Sequence, residues 1–258
     1  MSQNHGPNLV TDGLLTCIDM SNPGPKLTNN FSGPDKYYED RSGNGNHAVR
    51  GTAGGYNTSS VFPGYWQNTS SNGSLKFNLD SPATWTISML LERTGAVSGS
   101  LGRLAGTNGV IDRGEIAVYT GTNDVWYNGP ATGWVATTID LELNETAYIC
   151  FGFNGPAANS FNYTDKAWKN GILADTFTTD TNNSEGSISG YTLGSRSDFN
   201  GEWTQCKFYH VTVHDRLLTD NEVDIAVQPT SQANPLQQAA SSLIFPILLL
   251  GGLFFLFR

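Results

Sequence analysis

The feature that most constrains this chain is a recurring period of two. "NGSLKFNL" (72–79) sets Leu75, Phe77 and Leu79 on one side and Ser74, Lys76 and Asn78 on the other. "TWTISMLLER" (84–93) repeats the pattern with Trp85, Ile87, Met89 and Leu91. Side chains of an extended strand leave alternately to opposite faces, so this spacing predicts strands with one face buried. Further strand-like runs are "GLLTCIDM" (13–20), "GEIAVYTG" (114–121), "DVWYNG" (124–129), "AYICFGFNG" (147–155), "GYTLGSR" (190–196) and "EWTQCKFYHVTVHD" (202–215). "AYICFGFNG" is the most apolar and reads as a central strand. In the last run neither parity is cleanly polar, which predicts cover on both sides. "KAWKNGIL" (166–173) places Asn170-Gly171 between apolar residues, and that pair tolerates positive φ at both corners of a tight hairpin.

Within residues 1–227 helical character is confined to "LLTDNEVDIAV" (217–227), where Thr219 and Glu222 have the spacing of a capping box. About a dozen short strands without a βαβ rhythm predict an all-β, two-sheet antiparallel jelly-roll sandwich over residues 1–227. Residues 228–242 read as a linker, and 243–258 as a C-terminal hydrophobic helix. The 29 glycines and 14% charged residues of this 258-residue chain suit strands and polar turns better than long helices.

The order of "DGLLTCIDMSNP", "EDRSGNGNHA", "LKFNL", "TWTISMLLER", "AYICFGFNG…KAWKNGIL" and "FNGEWTQCKFYHVTVHDRLLTDNEV" resembles the laminin-G-like branch of the concanavalin A-like lectin/glucanase superfamily. In particular it is similar to single-domain versions in phage and marine viral structural proteins. The resemblance spans about residues 9–226 and implies a sandwich fold. In such folds the Ser-Gly-Asn-Gly-Asn stretch is a turn, with Gly43 and Gly45 supplying unusual backbone angles and Asp40 accepting the turn's amides. A second reading of the stretch is a calcium site built on Asp40 and Asp19, since calcium takes hard oxygen ligands. No other cofactor is expected.

Glucanases of this superfamily carry alternate carboxylates on one strand, as Glu-x-Asp-x-Glu, and no such triplet occurs here. Asp140 and Glu142 in "DLELNE" read as a solvated edge, and Glu115 as isolated. His210 and His214 share a strand but stand ~13 Å apart along it, too far for joint ligation of a metal. His5 and His47 show no partners in the sequence. The expectation is therefore a chain that is not an enzyme. Saccharide binding fits the composition better: Tyr65, Trp66, Trp126, Tyr127 and Trp134 lie near Gly- and Asn-rich loops and can stack on pyranose rings. The competing assignment is that these aromatics fill the core or its rim. Cys17, Cys150 and Cys206 sit in apolar runs without zinc spacing and read as buried thiols, though a disulfide between two of them is not excluded by sequence.

A net charge of −9 without a Lys/Arg cluster argues against nucleic acid as a partner. No secretory signal pattern opens the chain. Residues 243–257 carry no charge, and Leu243, Ile244, Phe245, Leu248, Leu250, Leu253, Phe254, Phe255, Leu256 and Phe257 make them strongly apolar. As a helix they would span roughly 22 Å, and adding Ala239 to Ser242 brings the stretch near the about 20 residues that cross a bilayer. Two readings stand. The segment anchors the sandwich to membrane lipid, or copies of it bundle in a homo-oligomer, for which Gly251-Gly252 allows close approach. With the resemblance, this implies a virion protein tied to lipid or to other virion proteins through its C-terminus.

Overall fold

A computed structural model describes residues 9–20, 37–50, 60–62, 64–68, 74–79, 84–107, 114–129, 133–154, 163–179, 190–195 and 202–227. The apolar segment 243–257 lies outside them, and among the described residues no helix is long and apolar enough to cross a membrane.

The strands, in chain order, are β1 (Leu14–Asp19), β2 (Tyr37–Tyr38), β3 (Ala48–Arg50), β4 (Ser60–Phe62), β5 (Tyr65–Gln67), β6 (Leu75–Asn78), β7 (Thr84–Val97) and β8 (Leu101–Thr107). They continue with β9 (Ile116–Tyr119), β10 (Asp124–Gly129), β11 (Gly133–Asp140), β12 (Thr146–Asn154), β13 (Tyr163–Lys169), β14 (Ile172–Thr179), β15 (Gly190–Leu193) and β16 (Thr204–His214); helix α1 (Asp220–Val227) follows. They form two antiparallel sheets. The first runs β14-β13-β12-β7-β16-β5-β4, with β1 beside β5 along the same edge of β16; the second runs β11-β10-β9-β8-β15-β6-β3-β2. The all-β two-sheet sandwich is thus present.

The period-two runs bury the side expected of them. Trp85, Ile87, Met89 and Leu91 of β7, Ile149, Phe151 and Phe153 of β12, and Phe77, Val118, Val125 and Tyr191 of the second sheet form one core between the sheets. Across it the Trp85 indole N–H donates to the Tyr191 hydroxyl. The Asn170-Gly171 hairpin joins β13 and β14 with φ of 52° and 83°. At the far edge, Asp175 on β14 accepts from the Thr138 amide of β11 at 2.6 Å, which fastens the two sheets together.

The mixed parity of β16 has a definite cause. Phe208 faces Leu91 and His210 faces Leu90, so the strand bulges at Tyr209. One extra residue reverses which parity points inward. Cys206 and Phe208 enter the core before the bulge, and Val211 and Val213 after it. His210, Thr212 and His214 are thereby turned to the outer face. There Tyr148, Cys150, Trp168, Leu218, Val223 and Ala226 make a second apolar cluster that docks α1, with Val10 packed against it. Thr219 and Glu222 close the capping box as expected: the Glu222 amide donates to Thr219 Oγ1 and the Thr219 amide to Glu222 Oε2.

"SGNGN" is a corner clipped onto β1. Asp40 Oδ1 accepts from the amides of Cys17 and Ser42, each at 2.9 Å. Its Oδ2 accepts from the Ser42 hydroxyl at 2.7 Å and the Asn46 amide at 2.9 Å. Gly43 and Gly45 adopt φ of 89° and 79°, which residues bearing a Cβ rarely take. The Asn44 and Asn46 side-chain amides donate to Leu14 and Leu15 carbonyls, each at 2.8 Å. Burial pushes the Asp40 carboxyl up, but these donors outweigh it and hold it below its usual range. His47, read as unpartnered, accepts from the Asp40 amide at 3.0 Å and stacks on Tyr37.

His210 and His214 line one small cavity with Val10, Tyr148, Leu218 and Ala226. His214 Nε2 bonds the Val10 carbonyl at 2.9 Å, while both Nδ1 atoms are shielded from solvent without a partner. Burial holds both imidazoles below their ordinary value; Asp19 opposes this at His210, and the Val10 carbonyl, Glu222 and Asp215 oppose it at His214, where Arg216 adds to it. The folded state therefore prefers them neutral. The stability they contribute is complete above the unfolded value of about 6.5 and is lost as pH falls below it. Urea midpoints measured from pH 8 to pH 5 should drop below about pH 6.5, and the His210→Gln, His214→Gln double variant should flatten that drop.

Candidate functional site

The five aromatic candidates divide among three places. Trp66 and Tyr127 are core residues: Trp66 is fully buried against Phe208, and Tyr127 sits among Phe151, Phe153 and Phe177. Neither can meet a ligand, which corrects the expectation for both, and Trp66→Ala would test packing rather than binding. Their places follow from parity, since Trp66 and Tyr127 are the inward members of β5 and β10. Tyr65 lies on the outer face of the first sheet. It packs edge-on against Tyr209, with Lys207 Nζ 5.2 Å from its ring centre. Glu92 joins them, accepting from Lys207 at 3.0 Å and from the Tyr209 hydroxyl at 2.6 Å.

Trp126 and Trp134 come together on the outer face of the second sheet. In the β10–β11 register Trp126 faces Ala136 and Asn128 faces Trp134, so the two tryptophans flank neighbouring cross-strand positions on one side. Both are partly exposed. Trp126 leans on Tyr119, ring centres 5.3 Å apart. The guanidinium of Arg103, reaching from β8, lies 4.2 Å from the Trp134 ring centre.

Arg103 is the hub of this face. Its Nε donates to Glu115 Oε2 at 3.1 Å and its Nη1 to the Leu101 carbonyl at 2.9 Å. Its Nη2 lies 3.1 Å from Glu115 Oε2 and 2.9 Å from Glu202 Oε2. Arg103 and Glu115 are only 4% and 1% exposed, whereas Glu202 is 29% exposed. One cation thus serves two carboxylates, and solvent reaches only one of these. Glu115 is therefore not the isolated group expected. Gly114, at φ 75°, lets the chain turn so that its own amide meets the Asn128 carbonyl and the Glu115 carbonyl receives the Asn128 amide, each at 2.9 Å. No residue near Glu115 in sequence announces this pairing, because Arg103 arrives from β8 and Glu202 from the segment just before β16.

The other sequence candidates fall elsewhere. Asp140 and Glu142 are exposed at an edge, where Lys169 Nζ reaches Asp140 at 3.3 Å and Glu145 at 2.7 Å. Asp40 turns both carboxylate oxygens into its corner, where the donors already named hold them. Asp19 pairs with His210 in the β1–β16 register. Among the described residues no three His, Cys, Asp or Glu side chains gather as a metal site. Cys17, Cys150 and Cys206 are free and buried. Cys17 Sγ lies 3.4 Å from His210 Nε2, but burial, with Asp19 and Asp40 adding, pushes the thiol up to about 12, which leaves it protonated and unreactive.

No protein-family model matches the chain, and no curated protein matches it by sequence. Solved structures do share its fold. Trypanosoma rangeli sialidase in complex with 2,3-difluorosialic acid, a covalent intermediate, aligns with a TM-score of 0.62 at 14% identity, over 89% of this chain and 36% of that one. The botulinum neurotoxin serotype D binding domain aligns with a TM-score of 0.57 at 11% identity, over 86% and 53%. The receptor binding domain of a botulinum neurotoxin C/D mosaic serotype gives the same TM-score over 86% and 52%. The chain thus spans about a third of the sialidase and about half of each neurotoxin domain. At such identities the likeness shows the fold alone.

That fold is a two-sheet antiparallel β-sandwich. The expectation that the chain is not an enzyme is corrected by the same finding. It rested on a missing Glu-x-Asp-x-Glu triplet, isolated carboxylates and histidines without partners, yet the neighbours sharing this fold include sialidases held as a covalent intermediate and with the inhibitor DANA.

Removing Arg103 takes from the buried Glu115 carboxylate the guanidinium that holds it through two nitrogens. Arg103→Ala should lower the unfolding free energy by about 3–5 kcal/mol in urea titration, and the Arg103→Met, Glu115→Leu pair should lose distinctly less.

Proposed function

We propose that this chain is a saccharide-binding β-sandwich that meets its ligand on the outer face of the second sheet, at Trp126, Trp134 and Tyr119. The observation that carries the reading is the placement of two partly exposed tryptophans side by side, each held in orientation by a neighbour: Trp126 by Tyr119 and Trp134 by the Arg103 guanidinium. Aromatic faces fixed in this way present flat apolar area at little entropic cost, which suits the C–H face of a pyranose. Glu202, partly exposed, is joined to this face through Arg103. Structurally similar proteins, a receptor binding domain and a sialidase in complex with 2,3-difluorosialic acid, accord with a sugar-handling role.

On a glycan array the intact sandwich should retain a definable set of sugars. Trp126→Ala and Trp134→Ala should each weaken that binding about tenfold, equivalent to about 1.4 kcal/mol. Tyr65→Ala, on the opposite outer face, should leave it unchanged. Equal binding by all four proteins would exclude this face.

The apolar segment 243–257 supports a second element of the reading: a tether that holds the sandwich to lipid or inside a homo-oligomeric assembly. Membership of the laminin-G-like branch, and display on a virion, extend the sequence resemblance in the same direction. Removing residues 236–258 should abolish co-sedimentation with lipid vesicles while leaving the array pattern intact. Loss of oligomerisation instead, with no lipid binding by the full chain, would favour bundled tails.

A further inference from the structure

We propose that the ligand of the tryptophan face is an internal stretch of a linear glycan, at least three sugars long, laid obliquely across β9, β10 and β11, and not a single sugar or a chain end; this rests on the saccharide reading above. The strand register carries it. Trp126 faces Ala117 of β9 on one side and Ala136 of β11 on the other. Tyr119 stands two residues beyond Ala117, and Trp134 two residues before Ala136. Because both neighbours run antiparallel to β10, these offsets point in opposite directions along the sheet. Tyr119, Trp126 and Trp134 therefore spring from one straight diagonal, one outward aromatic residue on each of three successive strands. Diagonal neighbours of this kind are roughly 7–8 Å apart, so the row measures roughly 15 Å from end to end. One pyranose ring covers one indole and no more.

The three rings are held as a platform. Tyr119 lies against Trp126 and over Gly121, where a Cβ would come to 2.8 Å from the Tyr119 ring. The Arg103 guanidinium steadies Trp134. Beside Trp126, Ala136 is exposed and rises no higher than a methyl group. The Trp126 indole N–H is shielded from solvent and has no hydrogen-bond partner among the described residues, so what a ligand meets of that indole is carbon. A chain end differs from an internal sugar by the hydroxyl it frees, and telling them apart calls for a polar group aimed at that hydroxyl. Stacking reads the C–H face that every unit of a linear chain repeats. Tying the units together makes the second and third contacts intramolecular, so a row of modest contacts gains strength with the length of the chain.

The test is calorimetry with cello-, xylo- and chito-oligosaccharides of one to six units, beside a glycan array that carries branched and terminal epitopes. In at least one series affinity should rise about tenfold with each added sugar up to the third or fourth and then level off. Blocking either chain end of the hexasaccharide should leave its affinity unchanged. Tyr119→Ala, at one end of the row, should remove the last of these gains while moving disaccharide affinity by less than about twofold. Tyr119→Phe, which keeps the ring, should retain them. Should Tyr119→Ala misfold, the length series of the unaltered protein decides the question. A single sugar bound as tightly as the hexasaccharide, a length series that Tyr119→Ala leaves unchanged, or retention confined to branched or terminal epitopes overturns the linear-chain assignment and leaves saccharide binding intact. Retention of no sugar on the array or in any series overturns the saccharide reading itself, and this assignment with it.

Discussion

The sandwich outside its core depends on one irregularity, the bulge in β16 at Tyr209. Without it, a strand of this length would keep one parity inward throughout, and Tyr209, Val211 and Val213 would share a face. With it, Phe208 and Val211 both pack between the sheets, and His210, Thr212 and His214 turn outward to form a floor for α1 and Val10. Two apolar layers are thereby built on the two faces of one strand. The imidazoles between them are tolerable because they are neutral, which makes that docking sensitive to acid.

The second sheet solves the opposite problem. Its outer face has no helix among the described residues, and it carries tryptophans, a buried arginine and two glutamates instead. Burying a charged pair costs desolvation energy that Coulomb attraction only partly offsets. An Arg–Glu pair held 4% and 1% exposed is therefore weak ground for stability. It makes better sense as a rigid support that orients Trp134 and leaves Glu202 in reach of solvent, while the neighbouring Tyr119–Trp126 contact orients the other indole.

Much of the sandwich was legible in the sequence because its cause is local. Alternation in "LKFN" and "TWTISMLL" is set by strand geometry, the Asn170-Gly171 turn by positive φ, and the Thr219–Glu222 box by the free amides of a helix end. The corner at Asp40 was legible for the same reason. The candidate site was half legible: Trp126 and Trp134 were singled out, but so were Trp66 and Tyr127, whose inward parity sends them to the core. The Arg103–Glu115–Glu202 cluster was not legible, because its members are gathered from β8, the turn before β9 and the segment just before β16. A bulge likewise leaves no mark in the residue types around it, only a strand whose two parities both look wrong.

Helix α1 ends at Val227 on the outer side of the first sheet, and the tryptophan face is the outer side of the second. The last described residue therefore lies on the side remote from Trp126 and Trp134. Were residues 228 onward fastened to a surface, the body would stand with its tryptophan face directed outward, like a dish mounted from behind.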